Sequence, residues 1–498
     1  QVAHYRQVRI LKEAGFNAIR MAHNPAAPAL LRVCDELGMY VMDETFDSWT
    51  RFKGDFDYSL FFEESWKNDV SAMVETDFNH PSVILYSIGN EIPEIGTKHG
   101  SRIAKMIHDH IKDIDQTRPT LASINGVFAA GDVIPQIVED IQKQNQVDQS
   151  DLTGNVNDFM TLMDTNMDKI VVHPLISQRL DLATASTDIA GYNYMSDRYE
   201  LDAKEHPNRV IVGSETSPPE IARNWSLVKK LASVIGDFTW TGWDYIGEAG
   251  VGVPAYSWGE GGFGAQFPCQ LAYCGDIDIT GVRRPLSYYR EIVFGLREKP
   301  YIAVQKPEHY GKKLIKTPWV LSDSLRSWTW PGFEGHPIVV EVYAPGDEVA
   351  LYLNDQLIEK KATSEELDYL TKFEIMYQKG CLKAVNFKDG HMISEDIIMT
   401  ADETTAHLQG RIEENGDLTY ISYSIEDNSN NLITHMKMDL CIHVVGLGFG
   451  TGDPKPLEKY NTDRTSTFNG RALAIVRKFK QNAQVIVTSE NMTVDLII

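Results

Sequence analysis

The 498-residue sequence contains no unbroken apolar run of about 18 residues, the length a membrane-spanning helix needs. It also lacks an excess of positive charge. Asp and Glu number 70 against 47 Lys and Arg, a formal charge of −23. Such a surface repels phosphate backbones and anionic membrane surfaces, which argues against nucleic-acid and membrane-surface roles. Cysteine is scarce. Cys34, Cys269, Cys274, Cys381 and Cys441 include no C-x-x-C pair, so neither a disulfide scaffold nor a structural zinc site is expected. No Gly-rich phosphate loop follows any apolar run, which disfavours a nucleotide-dependent oxidoreductase. The residues leave the compartment open between cytoplasm and periplasm.

What the chain does have is alternation. Its length exceeds what one ordinary core supports, so two or three domains are expected. The opening "VAHYRQVRILKEAGF" reads as a helix closed by Gly15. Strand-like runs then alternate with helical ones. Seven strands are expected near residues 17–21, 40–44, 83–90, 119–125, 188–195, 209–215 and 236–244. A long polar insertion with helical stretches spans about 126–187. Strands alternating with helices imply a parallel sheet with right-handed crossovers. A closed (β/α)8 TIM barrel needs an eighth strand. The chain begins on a helix, so the first strand is expected before Gln1 and missing from this chain. An open sheet is the alternative; the missing phosphate loop favours the barrel.

After residue 300 the texture changes. "HPIVVEVYAPGDEVALYLNDQLIEKK", "DLTYISYSIEDNSNNLIT" and "AQVIVTSENMTVDLII" alternate apolar and polar residues at period two, with turn residues between runs. The expected architecture is α/β plus all-β. A barrel domain spans 1–300, and two immunoglobulin-like β-sandwich domains follow at 315–400 and 401–498. "YIAVQKPEHYGKKLIKTP" reads as the linker.

Three expected strands end on acids: Asp43-Glu44, Asn90-Glu91 and Ser214-Glu215. A buried carboxylate without a partner is costly, so acids closing apolar runs need an explanation. In a (β/α) barrel the C-terminal strand ends form the mouth where chemistry takes place. Arg20, His23, His80, Asn193, Tyr194, Trp240 and Trp243 also fall at strand ends. Hydrogen-bonding groups mixed with aromatic faces suit a pyranose ring. Two carboxyl groups facing each other across such a pocket can hydrolyse a glycosidic bond, one as acid and one as nucleophile, if they stand about 5–5.5 Å apart.

The stretches "GFNAIRMAHNPAAPALLRVCDELGMYVMDETFDSW", "NHPSVILYSIGNE", "VIVGSETS" and "FTWTGWDYIGE" occur in that order. Over about 3–295 they resemble the catalytic barrel of glycoside hydrolase family 2, which includes β-galactosidases, β-glucuronidases and β-mannosidases. "WTWPGFEGHPIVVEVY", "GLGFGTGDP" and "TSTFNGRALAIV" resemble the C-terminal sandwiches of one bacterial β-galactosidase-like branch. The resemblance implies a retaining exo-β-glycosidase, most simply a β-galactosidase. Glu91 would be the acid/base and Glu215 the nucleophile. Asn90 would hold the sugar 2-hydroxyl, and Tyr194 would hydrogen-bond the nucleophile. His23 and His80 would face the sugar, unless they are structural. Trp240, ahead of Trp243, would form the hydrophobic wall. Arg20 would help keep Glu215 ionised. Glu44 is either structural or orients the site.

The sequence departs from that pattern in two places. Phe46 stands two residues after Glu44, where well-known members have a metal-binding histidine, so no magnesium site and no cofactor are expected. Residues 244–290 contain neither Asn nor Lys, so the Asn-x-Lys motif of the β-glucuronidases is missing there. Arg283 and Arg284 could replace its charge but read more easily as structural, which favours a neutral sugar. The expected partners are a carbohydrate substrate, N-terminal segments or domains of the same protein, and further copies in a homo-oligomer. A carbohydrate-binding protein on a degenerate barrel is the competing class.

Overall fold

The computed structural model describes residues 2–145, 166–315, 317–443, 446–477, 484–489 and 492–497. The middle of the polar insertion expected at 126–187 lies outside them. Two compact units emerge. One comprises residues 16–217 and 223–239; the other comprises 2–15, 218–222 and 240–498.

The first unit is built on seven parallel strands in sequence order: β1 (Ala18–Arg20), β2 (Tyr40–Glu44), β3 (Val83–Asn90), β4 (Thr120–Ile124), β5 (Ile189–Asn193), β6 (Ile211–Thr216) and β7 (Val234–Thr239). β1 and β7 touch, so the sheet curls into a nearly closed barrel. All seven expected strands are present. The last ends at Thr239, earlier than expected, which leaves Trp240 and Trp243 beyond the strand.

Helices fill the crossovers. In Lys98–Ile114, Ile103, Ala104, Ile107 and Ile111 recur at helical spacing and are buried. Thr97 starts this helix by accepting the Gly100 N–H at 3.1 Å. Gly100 has no alternative, since a Cβ there would lie 2.0 Å from the Glu94 carbonyl oxygen.

Strand parity then makes the site. Met42, Leu85, Leu121, Ile189, Val212 and Phe238 form one apolar cluster. Two residues further along four of those strands come Glu44, Ser87, Ser123 and Ser214, and four residues beyond Ile189 comes Asn193; all share the same faces. A greasy layer thus supports a polar layer at the C-terminal strand ends.

The second unit holds two β-sandwiches, each of two four-stranded antiparallel sheets. Trp328, Val340, Leu351, Phe373 and Leu382 lie in the core of the first. Ile421, Ile425, Leu440, Ala474 and Val485 lie in the core of the second. The expected linker is in part a strand. Tyr301–Gln305 pairs antiparallel with Pro337–Tyr343, so the first sandwich starts before residue 315. The opening helix Val2–Glu13 belongs to this unit too. Arg6 and Arg9 bond Glu413 at 3.1 and 2.6 Å, and Asn415 Nδ2 donates to the Val2 carbonyl. Among the described residues no helix is long and apolar enough to cross a membrane.

Candidate active site

The polar layer of the first unit is one connected network. Arg20, at the end of β1, is its cation; only 4% of its side chain is exposed. Arg20 Nε and Nη2 bond the Glu44 carboxylate at 2.8–3.2 Å, and Nη1 donates to Glu215 Oε2 at 2.7 Å. Nη2 also donates to Asn90 Oδ1 at 2.8 Å. Glu44 is completely buried and accepts further bonds from Ser87 Oγ at 2.6 Å and Ser123 Oγ at 3.0 Å. Burial pushes its pKa up. The Arg20 charge, His23 and Ser87 outweigh that and hold it at about 2. Glu44 is therefore a buried anion bonded to Arg20.

Glu91 and Glu215 meet at one amide. Asn193 Nδ2 lies 3.3 Å from Glu91 Oε1 and 3.3 Å from Glu215 Oε2. Twice 3.3 Å, or 6.6 Å, is the furthest those two oxygens can stand apart. Around this shared contact the two acids differ. Glu215 Oε1 accepts the Tyr194 hydroxyl at 2.7 Å while Oε2 accepts Arg20. Among the described residues no cation bonds Glu91 in this way. Its Oε1 accepts Asn125 Nδ2 at 3.0 Å. Burial, and next the nearby Glu215 charge, raise its pKa above the usual glutamate range; Asn125, Lys53 and Asn193 oppose them. The layer holds one acid whose pKa is raised beside another bonded by a guanidinium and a phenol hydroxyl.

The backbone turns both strand ends toward this point. Glu91 (φ 45°) and Tyr194 (φ 56°) are left-handed, and each follows an asparagine that closes a strand. That conformation costs a residue with a Cβ about 1 kcal/mol. Backbone bonds hold it: the Glu91 N–H donates to the Ser123 carbonyl at 2.7 Å and the Tyr194 N–H to the Glu215 carbonyl at 2.8 Å. Gly89 completes the turn, since a Cβ there would come within 2.9 Å of the Trp49 indole nitrogen. This explains why "SIGNE" closes an apolar run on a small residue, an amide and an acid. His23 joins the same network, with Nδ1 2.8 Å from Glu44 Oε1 and Nε2 3.4 Å from Asn90 Nδ2.

One expected residue is elsewhere. His80 precedes β3, at the opposite end of that strand from Asn90, about 25 Å away for eight extended residues. Its Nδ1 bonds Asp35 at 2.6 Å and its carbonyl accepts Arg118 at 2.9 Å. His80 is structural, and the expectation that it faces the sugar is corrected. Trp240 belongs to the second unit. Its indole N–H donates to the Tyr245 hydroxyl at 3.0 Å, and the ring packs with Val251, Ala272 and Cys274. In that unit Arg284 bonds Asp244 at 2.7 Å and lies 3.8 Å over the Tyr273 ring, while Arg283 bonds Glu291 at 3.2 Å.

The sequence places Asn193 at a strand end without assigning it a role, and its patterns do not single out Asn125, Asp47 or Lys53 as site residues. Asn125 and Asn193 carried the same signal as Asn90, an amide directly after an apolar run. Asp47 accepts Asn90 Nδ2 at 2.9 Å and Lys53 Nζ at 2.6 Å, from a loop with no periodicity to mark it. Among the described residues no cluster of three or more His, Cys, Asp or Glu could hold a metal ion.

Residues 3–201 match the glycosyl hydrolases family 2 TIM barrel domain, and residues 397–495 match the glycoside hydrolase family 2 C-terminal domain 5. Residues 335–394 match a domain of unknown function. A β-galactosidase of Bacteroides ovatus is 24% identical over 98% of this chain and 57% of its own length. The crystal structure of a family 2 member from Bacteroides cellulosilyticus superposes with a TM-score of 0.82 at 30% identity, covering 100% of this chain and 59% of that one. A β-glucuronidase of the family shares the fold, with a TM-score of 0.63 at 15% identity over 100% of this chain and 46% of its own. The chain thus spans about half the length of these relatives. Two family models at opposite ends of the sequence, and a neighbour that superposes over all of it, make this chain a member of glycoside hydrolase family 2.

Proposed function

We propose that this chain carries the catalytic centre of a retaining exo-β-glycosidase, with a terminal β-galactoside as its substrate. The observation that carries the reading is the pair of carboxyl groups sharing Asn193, one raised by burial and the other bonded by Arg20 and Tyr194. Glu215 attacks the anomeric carbon while Glu91 gives its proton to the departing oxygen, which leaves a glycosyl ester on Glu215. Glu91, now a carboxylate, takes a proton from water as that water displaces Glu215. A separation within 6.6 Å suits direct attack better than the wider gap an inverting enzyme needs for an intervening water. Arg20 and Tyr194 stabilise Glu215 as the leaving carboxylate. Asn90, fixed by Arg20 and Asp47, presents its amide to the 2-hydroxyl.

The choice of a neutral sugar rests on the charges. Arg283 and Arg284 are already committed to Glu291 and Asp244. The B. ovatus relative is a β-galactosidase. The test is turnover of aryl β-D-galactoside, β-D-glucoside and β-D-glucuronide by the protein. The galactoside should be cleaved fastest, with retention of anomeric configuration. Glu215→Gln should lower kcat on the order of 10⁴-fold or more with the fold intact. Retained turnover in that variant, or inversion of the product, would defeat the proposal.

A further inference from the structure

Lys53 lies in the loop between β2 and the helix Phe62–Asp77, far from any strand end in sequence, and its backbone is exposed. Its side chain nonetheless turns inward and is only 22% exposed. The ammonium bonds Asp47 Oδ1 at 2.6 Å and the Asn90 carbonyl oxygen at 3.3 Å. That carbonyl belongs to the peptide joining Asn90 to Glu91.

The loop is pinned for this purpose. Glu94, 2% exposed, accepts the Thr50 N–H, the Thr50 hydroxyl and the Arg51 N–H at 2.8–3.0 Å. Asp57 accepts the N–H groups of Lys53, Gly54 and Ser59 at 2.7–3.2 Å. An ordinary surface ion pair needs no such anchoring and contributes little.

We propose that Lys53 is a positioning residue of this centre: a resident cation, held at the Asn90–Glu91 peptide, that serves the second half of the reaction. The inference rests on the assignment of Glu91 as acid/base. In the second step Glu91 must be a carboxylate. A water O–H bond breaks, its proton goes to Glu91, the water oxygen bonds the anomeric carbon, and the bond to Glu215 breaks with its electron pair staying on Glu215. Burial and the Glu215 charge both work against an ionised Glu91. Lys53 is the cation that opposes them there. The other charged or titratable groups near the pair include Asp47 on the same loop, Glu44 on β2, Arg20 at the end of β1, His23 after it, and Tyr194 after β5. Arg20 is engaged by Glu44 and Glu215, which leaves Lys53 to act on the Glu91 side.

The test is the pH dependence of the two half-reactions in Lys53→Met and Lys53→Arg. Without the cation Glu91 holds its proton more tightly. The basic limb of kcat/KM and the acidic limb of deglycosylation should both move up by about half a pH unit or more. On the acidic side Lys53→Met should accumulate glycosyl-enzyme about threefold more than the unaltered protein. Azide, which attacks without needing a base, should erase that difference. Lys53→Arg should restore both limbs. Asp47→Asn leaves an oxygen for Lys53 but removes the opposing charge, so it should move the limbs down, and it supplies the test if Lys53→Met does not fold. Limbs that stay in place while both half-reactions slow equally would reduce Lys53 to a structural role and overturn the inference. If the unaltered protein turned over no aryl β-glycoside, the acid/base assignment beneath it would have failed instead.

Discussion

The barrel unit contains two close pairs of carboxyl groups, and it treats them in opposite ways. Glu91 and Glu215 share an amide donor; burial raises the pKa of the first, and Arg20 and the Tyr194 hydroxyl bond the second. Asp43 and Asp77 are sealed against each other, 0% and 1% exposed, and share a hydrogen bond that needs a proton. Backbone N–H groups of Ala26 and Glu44 serve Asp43, whereas Asp77 has Asp43 as its side-chain partner. The same chemical pair becomes a reaction centre where donors surround it and a structural clasp where they do not. What separates them is strand parity. Asp43 and Glu44 are neighbours on β2, yet Glu44 faces the inner network and Asp43 faces the outer helices.

The comparison breaks most visibly at Glu91. Glu91→Ala removes the proton donor and the base but leaves the nucleophile. Activity toward substrates with poor leaving groups should fall about 10²- to 10⁴-fold. Substrates with good leaving groups should still glycosylate Glu215, and azide should speed the second step and release a β-glycosyl azide. If azide changed neither rate nor product, the two acids would not be divided as described.

The anion beneath the pair should give the next largest effect. Glu44→Gln removes the main partner of a buried guanidinium, a change that costs about 3–5 kcal/mol when a buried pair is broken. The folded-state pKa of Glu44 is depressed to about 2, so its contribution is present above the ordinary glutamate range and is lost as pH falls from about 4.5 toward 2. Urea unfolding at pH 7 should show the variant destabilised, and its stability should fall less steeply below pH 5 than that of the parent. Equal stability at pH 7 would mean that Arg20 is satisfied without Glu44.

Much of this was legible before any coordinates. Alternating strand and helix patterns revealed the seven barrel strands, because apolar runs of four to eight residues bounded by turn residues have few other uses. The pairing of Asn90-Glu91 with Ser214-Glu215 was legible because acids are expensive at the end of a buried run. His80 misled because it was counted as a strand end although it precedes the expected strand 83–90, at the end opposite the mouth. Lys53 and Asp47 were invisible because a loop carries no period; only the folded chain brings Lys53 to Asn90. The strand Tyr301–Gln305 was read as linker because the prolines and lysines after it outweigh five residues. The opening helix showed its pattern but not its partner, Glu413 of the second sandwich.

The smallest effect tests the clasp. Burial and the Asp43 charge push the Asp77 carboxyl up to about 9, against a smaller opposing pull from Arg118. A proton bound more tightly in the folded than in the unfolded chain stabilises most below the ordinary aspartate range. That stabilisation is lost as pH rises toward the raised value, on the order of 1 kcal/mol per pH unit at most. Asp77→Asn keeps a donor for Asp43 without needing a proton. The parent should lose thermal stability between pH 5 and pH 8 from this pair, and the variant should lose less over the same interval. Glycosidase activity at the parent's optimum should change little, because Asp77 contacts no part of the network around Arg20. A variant that unfolds earlier than the parent at pH 8 would show that the two carboxyl groups do not share a proton, and the contrast between clasp and reaction centre would lose its second half.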